Sequence, residues 1–144
     1  NIITSLELRS EEMEVINLRI QKKYKEIEEK EVRFEEYLLE DAEYAIVAFG
    51  SAARIAKKSI EIARSQGIKV GLLRPITLWP FPTKEVQKLA GKVKGILSLE
   101  INAGQMVADI RLAVEGKVPV QHFGRLGGII PDPDEVVDAI KRLF

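Results

Sequence analysis

Residues 44–73 read YAIVAFGSAARIAKKSIEIARSQGIKVGLL. The segment falls into three parts. An apolar run, 44–49, stops at Gly50. A stretch follows in which Ala52, Ile55, Ala56 and Ala63 return at helical spacing. Gly67 closes that stretch and a second apolar run, 68–73, begins. Ser51 is placed to cap the helix and Gly67 to end it. Both runs are apolar throughout rather than alternating, which suits strands covered on both faces. That is the condition of a parallel sheet.

The same unit recurs downstream. Thr83 is expected to cap a short helix carrying Val86 and Leu89, stopped by Gly91. GILSLEI, 95–101, is a third buried strand. The helix after it shows Met106, Val107, Ile110 and Val114 on one face and ends at Gly116, with Asn102 as its expected cap. VPVQHF, 118–123, is a fourth strand, and GRLGGIIP, 124–131, is a loop. Asp132 then caps a last helix, with Pro133 in its first turn and Val136, Val137, Ile140 and Leu143 as its stripe. Four strand–helix alternations predict a parallel sheet with helices on both faces.

Upstream the pattern changes. EVRFEEYLL, 31–39, reads as a short acidic strand suited to a sheet edge. In residues 10–30, Met13, Ile16, Ile20, Tyr24 and Ile27 form one apolar seam on a charged helix. Ser10 is its expected cap, and Glu11 and Glu12 lie in its first turn. So narrow a seam needs something to dock against. The chain thus divides into a connecting helix with a candidate edge strand, 1–40, and an α/β domain, 41–144.

Composition narrows the chemistry. The chain has 144 residues, 46% hydrophobic and 31% charged, with no cysteine and a single histidine, His122. Disulfides, zinc–thiolate sites and cysteine-held iron–sulfur clusters are excluded, as is any multi-histidine metal site. No apolar run approaches the roughly 18–20 residues of a membrane span, and no signal-peptide pattern appears, so a cytoplasmic setting without membrane contact is expected. The sequence opens at Asn1 rather than methionine, which suggests a piece of a longer chain. Charge is zero in sum but uneven, with 13 acids and 7 bases in residues 1–43 against 9 acids and 15 bases beyond. This is either a solvated acidic helix beside an ordinary body or two halves facing different partners. No basic stripe interleaved with aromatics supports nucleic-acid binding.

Ligands of such sheets bind beyond the carboxyl ends of the strands. Gly50 and Ser51 place backbone N–H groups at a helix start, suited to an anion or to plain capping, without the spacing of a dinucleotide or Walker motif. Arg74 suits an anion clamp or a structural pair with Glu100 or Asp41. In EINAGQ, 100–105, Glu100, Asn102, Gly104 and Gln105 suit helix capping or contact with a partner. His122 has no evident nucleophile beside it and reads as a satisfied, partly buried side chain. LRPITLWPFP, 73–82, holds three of the six prolines and the only tryptophan. It reads as neither helix nor central strand, because proline cannot donate to a ladder and restrains the residue before it. Trp79 and Phe81 are either interface anchors or the closing end of the core.

Four segments together resemble one family: AEYAIVAFGSAAR (42–54), GIKVGLLRPITLWPFP (67–82), LEINAGQM (99–106) and GGIIPDPDEV (127–136). The resemblance is to the alpha subunit of 2-oxoacid:ferredoxin oxidoreductases, in the 2-oxoglutarate-type or general 2-oxoacid branch. EEMEVINLRIQKKYKEI (11–27) is similar to that family's connecting helix. The resemblance implies a domain like the C-terminal domain of transketolase. That fold is a three-layer α/β/α sandwich around a mostly parallel five-stranded sheet with one antiparallel edge, and strand 44–49 lies between strands 68–73 and 95–101. It implies an enzyme that turns a 2-oxoacid and coenzyme A into acyl-CoA and carbon dioxide and reduces ferredoxin. Thiamine diphosphate, magnesium and iron–sulfur clusters would be held by other domains or subunits and none by this segment. The partners would be the rest of the alpha chain and beta, gamma or delta subunits. No catalytic residue of the family maps here, so the segment alone is expected to be inactive and to support assembly. A regulatory nucleotide-binding module and a ferredoxin-docking domain are the alternatives.

Overall fold

A computed structural model describes residues 6–143. Helix α1 (Ser10–Lys30) precedes strand β1 (Phe34–Tyr37). Then come β2 (Tyr44–Ala48), α2 (Gly50–Ser65), β3 (Val70–Pro75), α3 (Thr83–Ala90), β4 (Gly95–Glu100), α4 (Met106–Val114), β5 (Val120–Gly124) and α5 (Pro133–Lys141). The five strands form one sheet in the order β1-β3-β2-β4-β5. β3, β2, β4 and β5 run parallel, and β1 lies antiparallel on β3 with Phe34 opposite Pro75 and Tyr37 opposite Leu72. The expected architecture, the antiparallel edge and the central place of strand 44–49 are all present.

The side-chain period of two explains the layers. Ile46 and Ala48 of β2, with Leu72, Leu97 and Leu99, meet Ala52, Ala56 and Ile60 of α2 and Val136 and Ile140 of α5. Ala45 and Val47, with Leu73 and Ile96, turn to the other face, where α3 and α4 bring Val86, Leu89, Met106 and Ile110. Each apolar run therefore feeds two cores at once. Helix α2 stops as expected at Gly67, whose φ is +82°. Its N–H donates to the Arg64 carbonyl while that of Ile68 donates to the Ala63 carbonyl, which is a Schellman ending.

Capping departs from expectation. Ser10 is the first residue of α1, and the cap position falls to Arg9 without a side-chain bond. Gly50, at φ +55°, makes the turn itself, so the cap position falls to Phe49, two residues before Ser51, which is exposed and caps nothing. Thr83 lies inside α3, whose cap position is Pro82. Asp132 alone behaves as expected. Its side chain accepts from the Asp134 N–H, and Glu135 accepts from the Asp132 N–H in return. Asp132→Ala is expected to cost about 1 kcal/mol, read as a shift in the urea midpoint with an unchanged slope.

Strand β3 also runs further than expected, taking in Arg74 and Pro75. The β2–β3 ladder ends at Val47 opposite Leu73. Pro75 lies past that point, with only β1 beside it, so its missing N–H is tolerated. Helix α1 buries none of its residues. It meets the body through its C-terminal half, where the Tyr24 ring stands edge-on to Trp79 at 5.4 Å and 75°.

Candidate functional site

The carboxyl ends of the four parallel strands, with the loops that leave them, form one edge of the domain. Because β2 lies between β3 and β4, the Gly50–Ser51 turn separates the loop after Pro75 from the loop after Glu100. Adjacent strands are about 4.8 Å apart, so these two loops leave the sheet roughly 10 Å from each other.

Glu100 is the best-determined side chain on this edge. It is fully buried at the last position of β4. One carboxylate oxygen, Oε2, accepts from the N–H groups of Gln105 at 3.1 Å and Met106 at 2.9 Å. The other, Oε1, accepts from the Val107 N–H at 2.9 Å and the Ser98 hydroxyl at 2.8 Å. The first N–H groups of a helix have no partner within it, so a buried carboxylate here does the work of a cap with a full charge. Burial pushes the Glu100 carboxyl up. The N–H groups of Gln105 and Met106, the Ser98 hydroxyl and the Asn102 side chain more than offset that, and it titrates below the ordinary glutamate value. Asn102 is thus not the helix cap. Its Oδ1 accepts from the Gly104 N–H at 2.7 Å and shapes the turn between strand and helix. Gly104 sits at φ +102°, and Gln105 is exposed.

His122 of β5 leans over this turn. Its Nε2 is buried without a hydrogen-bond partner and lies 3.9 Å from Glu100 Oε1, beyond bonding distance. The expectation of a satisfied histidine fails, because every close acceptor position on Glu100 is already used by α4 and Ser98. A Cβ on Gly124 would stand 2.9 Å from that Nε2 and 2.4 Å from the Asn102 carbonyl, so glycine is what lets β5 pass here.

Arg74 pairs with neither Glu100 nor Asp41. Its Nη1 donates to Glu35 of β1 at 2.9 Å, and Lys57 of α2 holds the other oxygen of the same carboxylate at 2.5 Å. Both hydrogen bonds, that of Lys57 first, hold Glu35 below its ordinary value. Asp41 belongs to Arg64 instead, at 2.7 Å. The antiparallel register, Glu35 opposite Arg74, makes the first pairing.

The stretch after β3 splits its residues between two tasks. Pro75, Pro80 and Pro82 are buried, and Phe81 is half-buried against the core on the α3 and α4 side. Ile76, Leu78 and Trp79 face out, with Trp79 55% exposed. The Thr77 hydroxyl accepts from the Arg33 N–H at 3.0 Å and donates to the Pro80 carbonyl at 2.9 Å, which ties the loop to the chain entering β1. The Trp79–Pro80 peptide is cis. Between this loop and the end of α1 runs a groove of roughly 640 Å³. The expected anchors therefore separate, Phe81 into the margin of the core and Trp79 onto the surface.

Sequence reasoning missed a second apolar group on the same edge. Leu126, Ile129 and Ile130, in the loop after β5, are all exposed, the last by 70%. Three aliphatics next to glycines at a strand end were the available signal. Among the described residues no group of three or more histidine, cysteine, aspartate or glutamate side chains could hold a metal ion, and no helix is long and apolar enough to cross a membrane.

The family model described as pyruvate:ferredoxin oxidoreductase core domain II matches residues 42–136. Over 143 residues the chain is 44% identical to ketoisovalerate oxidoreductase subunit VorB of Methanothermobacter thermautotrophicus. That likeness covers 99% of this chain and 40% of the relative, so the chain spans about two fifths of the relative's length. In structure it resembles 2-oxoglutarate:ferredoxin oxidoreductase from Magnetococcus marinus, solved with 2-oxoglutarate, coenzyme A and succinyl-CoA bound. There the TM-score is 0.80 at 21% identity over 95% of this chain and 24% of that one. It also resembles a split-gene transketolase, an inactive beta4 tetramer, with a TM-score of 0.66 at 17% identity over 77% of this chain and 41% of that one. The two solved structures bear out the transketolase-like fold expected from the sequence.

Proposed function

Because the chain belongs to the pyruvate:ferredoxin oxidoreductase core domain II family, we propose that it is a non-catalytic, assembly-supporting domain within a longer alpha chain of a 2-oxoacid:ferredoxin oxidoreductase. On this reading residues 1–40 connect it to the preceding domain and lend β1 to its sheet, and residues 41–144 form the domain proper. The whole enzyme would oxidatively decarboxylate a 2-oxoacid to an acyl-CoA and reduce ferredoxin. Its 2-oxoacid would be selected outside this segment. The 2-oxoglutarate-type branch has the weaker support of the two, 30% identity over 104 residues to a 2-oxoglutarate synthase subunit, and the 44% identity to a ketoisovalerate oxidoreductase subunit favours a branched-chain 2-oxoacid instead.

The observation that carries the assembly reading is Trp79. It is more than half exposed and stands on a loop whose prolines are buried and whose backbone is tied down. A large ring on a stiff support loses little entropy on docking, which is the property of an interface anchor. With Ile76, Leu78, Leu126, Ile129 and Ile130 it gives the carboxyl edge two apolar flanks around the polar Asn102–Gln105 turn. Apolar patches of this kind mark contact surfaces.

The residues of this chain do not fit the implied cofactors. There is no cysteine for a cluster, and the one buried carboxylate on the edge has both oxygens occupied by α4 and Ser98. Thiamine diphosphate, magnesium and clusters would lie with the other domains and subunits. A nucleotide-binding role has less support, since the start of α2 offers an exposed serine and no basic side chain before Arg54.

Trp79→Ala, made in the full-length chain and assembled with its partner subunits, is expected to weaken association by about 2 kcal/mol or more, near 30-fold in Kd. The thermal midpoint of the unassembled chain should barely move. Unchanged sedimentation of the complex together with a large loss of stability would sink the interface reading.

A further inference from the structure

The groove beside Trp79 carries a charge pattern that specifies its occupant. Its apolar floor is Val32, Phe34, Trp79 and Pro80. Glu28 and Glu29 line it from α1 and the largely buried Glu85 from the first turn of α3, with Lys84 as the one base among the lining residues. Glu28 and Glu29 make no hydrogen bond or ion pair with any described residue, and Glu85 has only a distant partner, Lys88 at 3.8 Å. The two glutamates also occupy the last turn of α1, where Lys30 is the one base. A helix carries its negative pole there, so carboxylates at that position are disfavoured unless a cation meets them. Three glutamates and the negative pole of α1 outweigh Lys84, Lys30 and the positive pole at the start of α3, and leave the Glu28–Glu29 side of the groove net acidic.

We propose that this groove receives a lysine- or arginine-bearing segment of a partner chain in the assembled enzyme. The inference rests on the assembly reading and adds the chemistry of the partner. Long basic side chains suit the site in both parts. Their methylene stems lie along apolar floors such as Trp79 and Pro80, and their heads remain free to meet carboxylates at the rim. The indole face adds attraction for a cation set above it. An acidic partner, ferredoxin included, would be repelled from this groove, which gives its docking at this surface no support.

The test uses the full-length chain with its partner subunits, measuring Kd at low and at physiological salt. Three variants are compared: Glu28→Lys with Glu29→Lys, Glu28→Gln with Glu29→Gln, and Trp79→Ala. Folding is not at risk in the charge variants, because both glutamates are exposed and lysine suits a helix C-terminus better than glutamate. The reversal is expected to weaken association by about tenfold or more and to flatten its salt dependence, with the glutamine pair moving the same way by less. If Trp79→Ala weakens assembly while the reversal leaves Kd and its salt slope unchanged, or tightens binding, the basic partner is wrong and the interface stands. If none of the variants weakens assembly, both readings fall. If the charge variants alone weaken it, the basic partner stands and Trp79 is not its anchor.

Discussion

Replacing Glu100 by alanine is expected to destabilise the domain by about 3–5 kcal/mol, read from urea titration of the chain. The side chain is fully buried and takes three backbone N–H groups and the Ser98 hydroxyl on its two oxygens. Alanine would leave the buried Met106 and Val107 N–H groups and the Ser98 hydroxyl without a partner, at about 1–3 kcal/mol for each group left unsatisfied. Glu100→Gln separates this from lost volume. It keeps the shape but points an amide donor at other donors, and should still cost about 2 kcal/mol or more. The carboxyl titrates below its ordinary value of 4.5 in the folded chain. Its contribution is therefore complete above that value and is lost as the pH falls through the lower folded one. Glu100→Ala should accordingly flatten the acid limb of the stability profile, whereas a mutation acting through volume alone would shift the whole profile down.

Gly71→Ala is expected to cost about 3 kcal/mol, for a steric rather than an electrostatic reason. Gly71 lies in β3, opposite Ala45 of β2. A Cβ there would stand 2.4 Å from the Leu38 carbonyl oxygen, 2.8 Å from the Leu38 carbonyl carbon and 2.7 Å from Leu39 Cδ2. The first two are backbone atoms of the connection leaving β1, with Leu38 at a φ of +53°, and they cannot swing aside as a side-chain tip can. The substitution should therefore peel β1 from β3. Amide exchange would show this as faster exchange at Phe34–Tyr37, with β4 and β5 little changed.

The parts of the fold legible in the sequence are those set by burial. Runs such as 44–49 and 95–100 are apolar on both faces because they feed two cores, and no local alternative competes with that signal. The capping residues were not legible in the same way. Ser10, Ser51, Thr83 and Asn102 are good caps by type, but the turns leading into their helices place other residues at the cap position. The N-terminus of α4 is held by Glu100, five to seven residues upstream, through a carboxylate that must turn back under the helix. No local pattern announces that. Arg74 shows the same limit at longer range, since its partner Glu35 is set by the β1–β3 register. The orphaned Nε2 of His122 follows from the packing of β5 against a carboxylate already saturated. In LRPITLWPFP the sequence treated Trp79 and Phe81 alike, either as interface anchors or as core closure, whereas Phe81 packs against the core and Trp79 is exposed. The prolines are buried with Phe81's side of the loop, and Ile76 and Leu78 face out with Trp79.

The central claim is that the carboxyl edge of this sheet is an assembly face, and oxidative footprinting of the exposed side chains tests it most directly. Labelling of Trp79, Leu126, Ile129 and Ile130 would be compared between the full-length chain alone and the assembled enzyme, with Leu112 on α4, 79% exposed, as a reference away from the strand ends. The account predicts that Trp79 and at least one of the three aliphatics become protected on assembly while Leu112 stays reactive. Equal labelling of Trp79 in both states, with Leu112 protected instead, would contradict it.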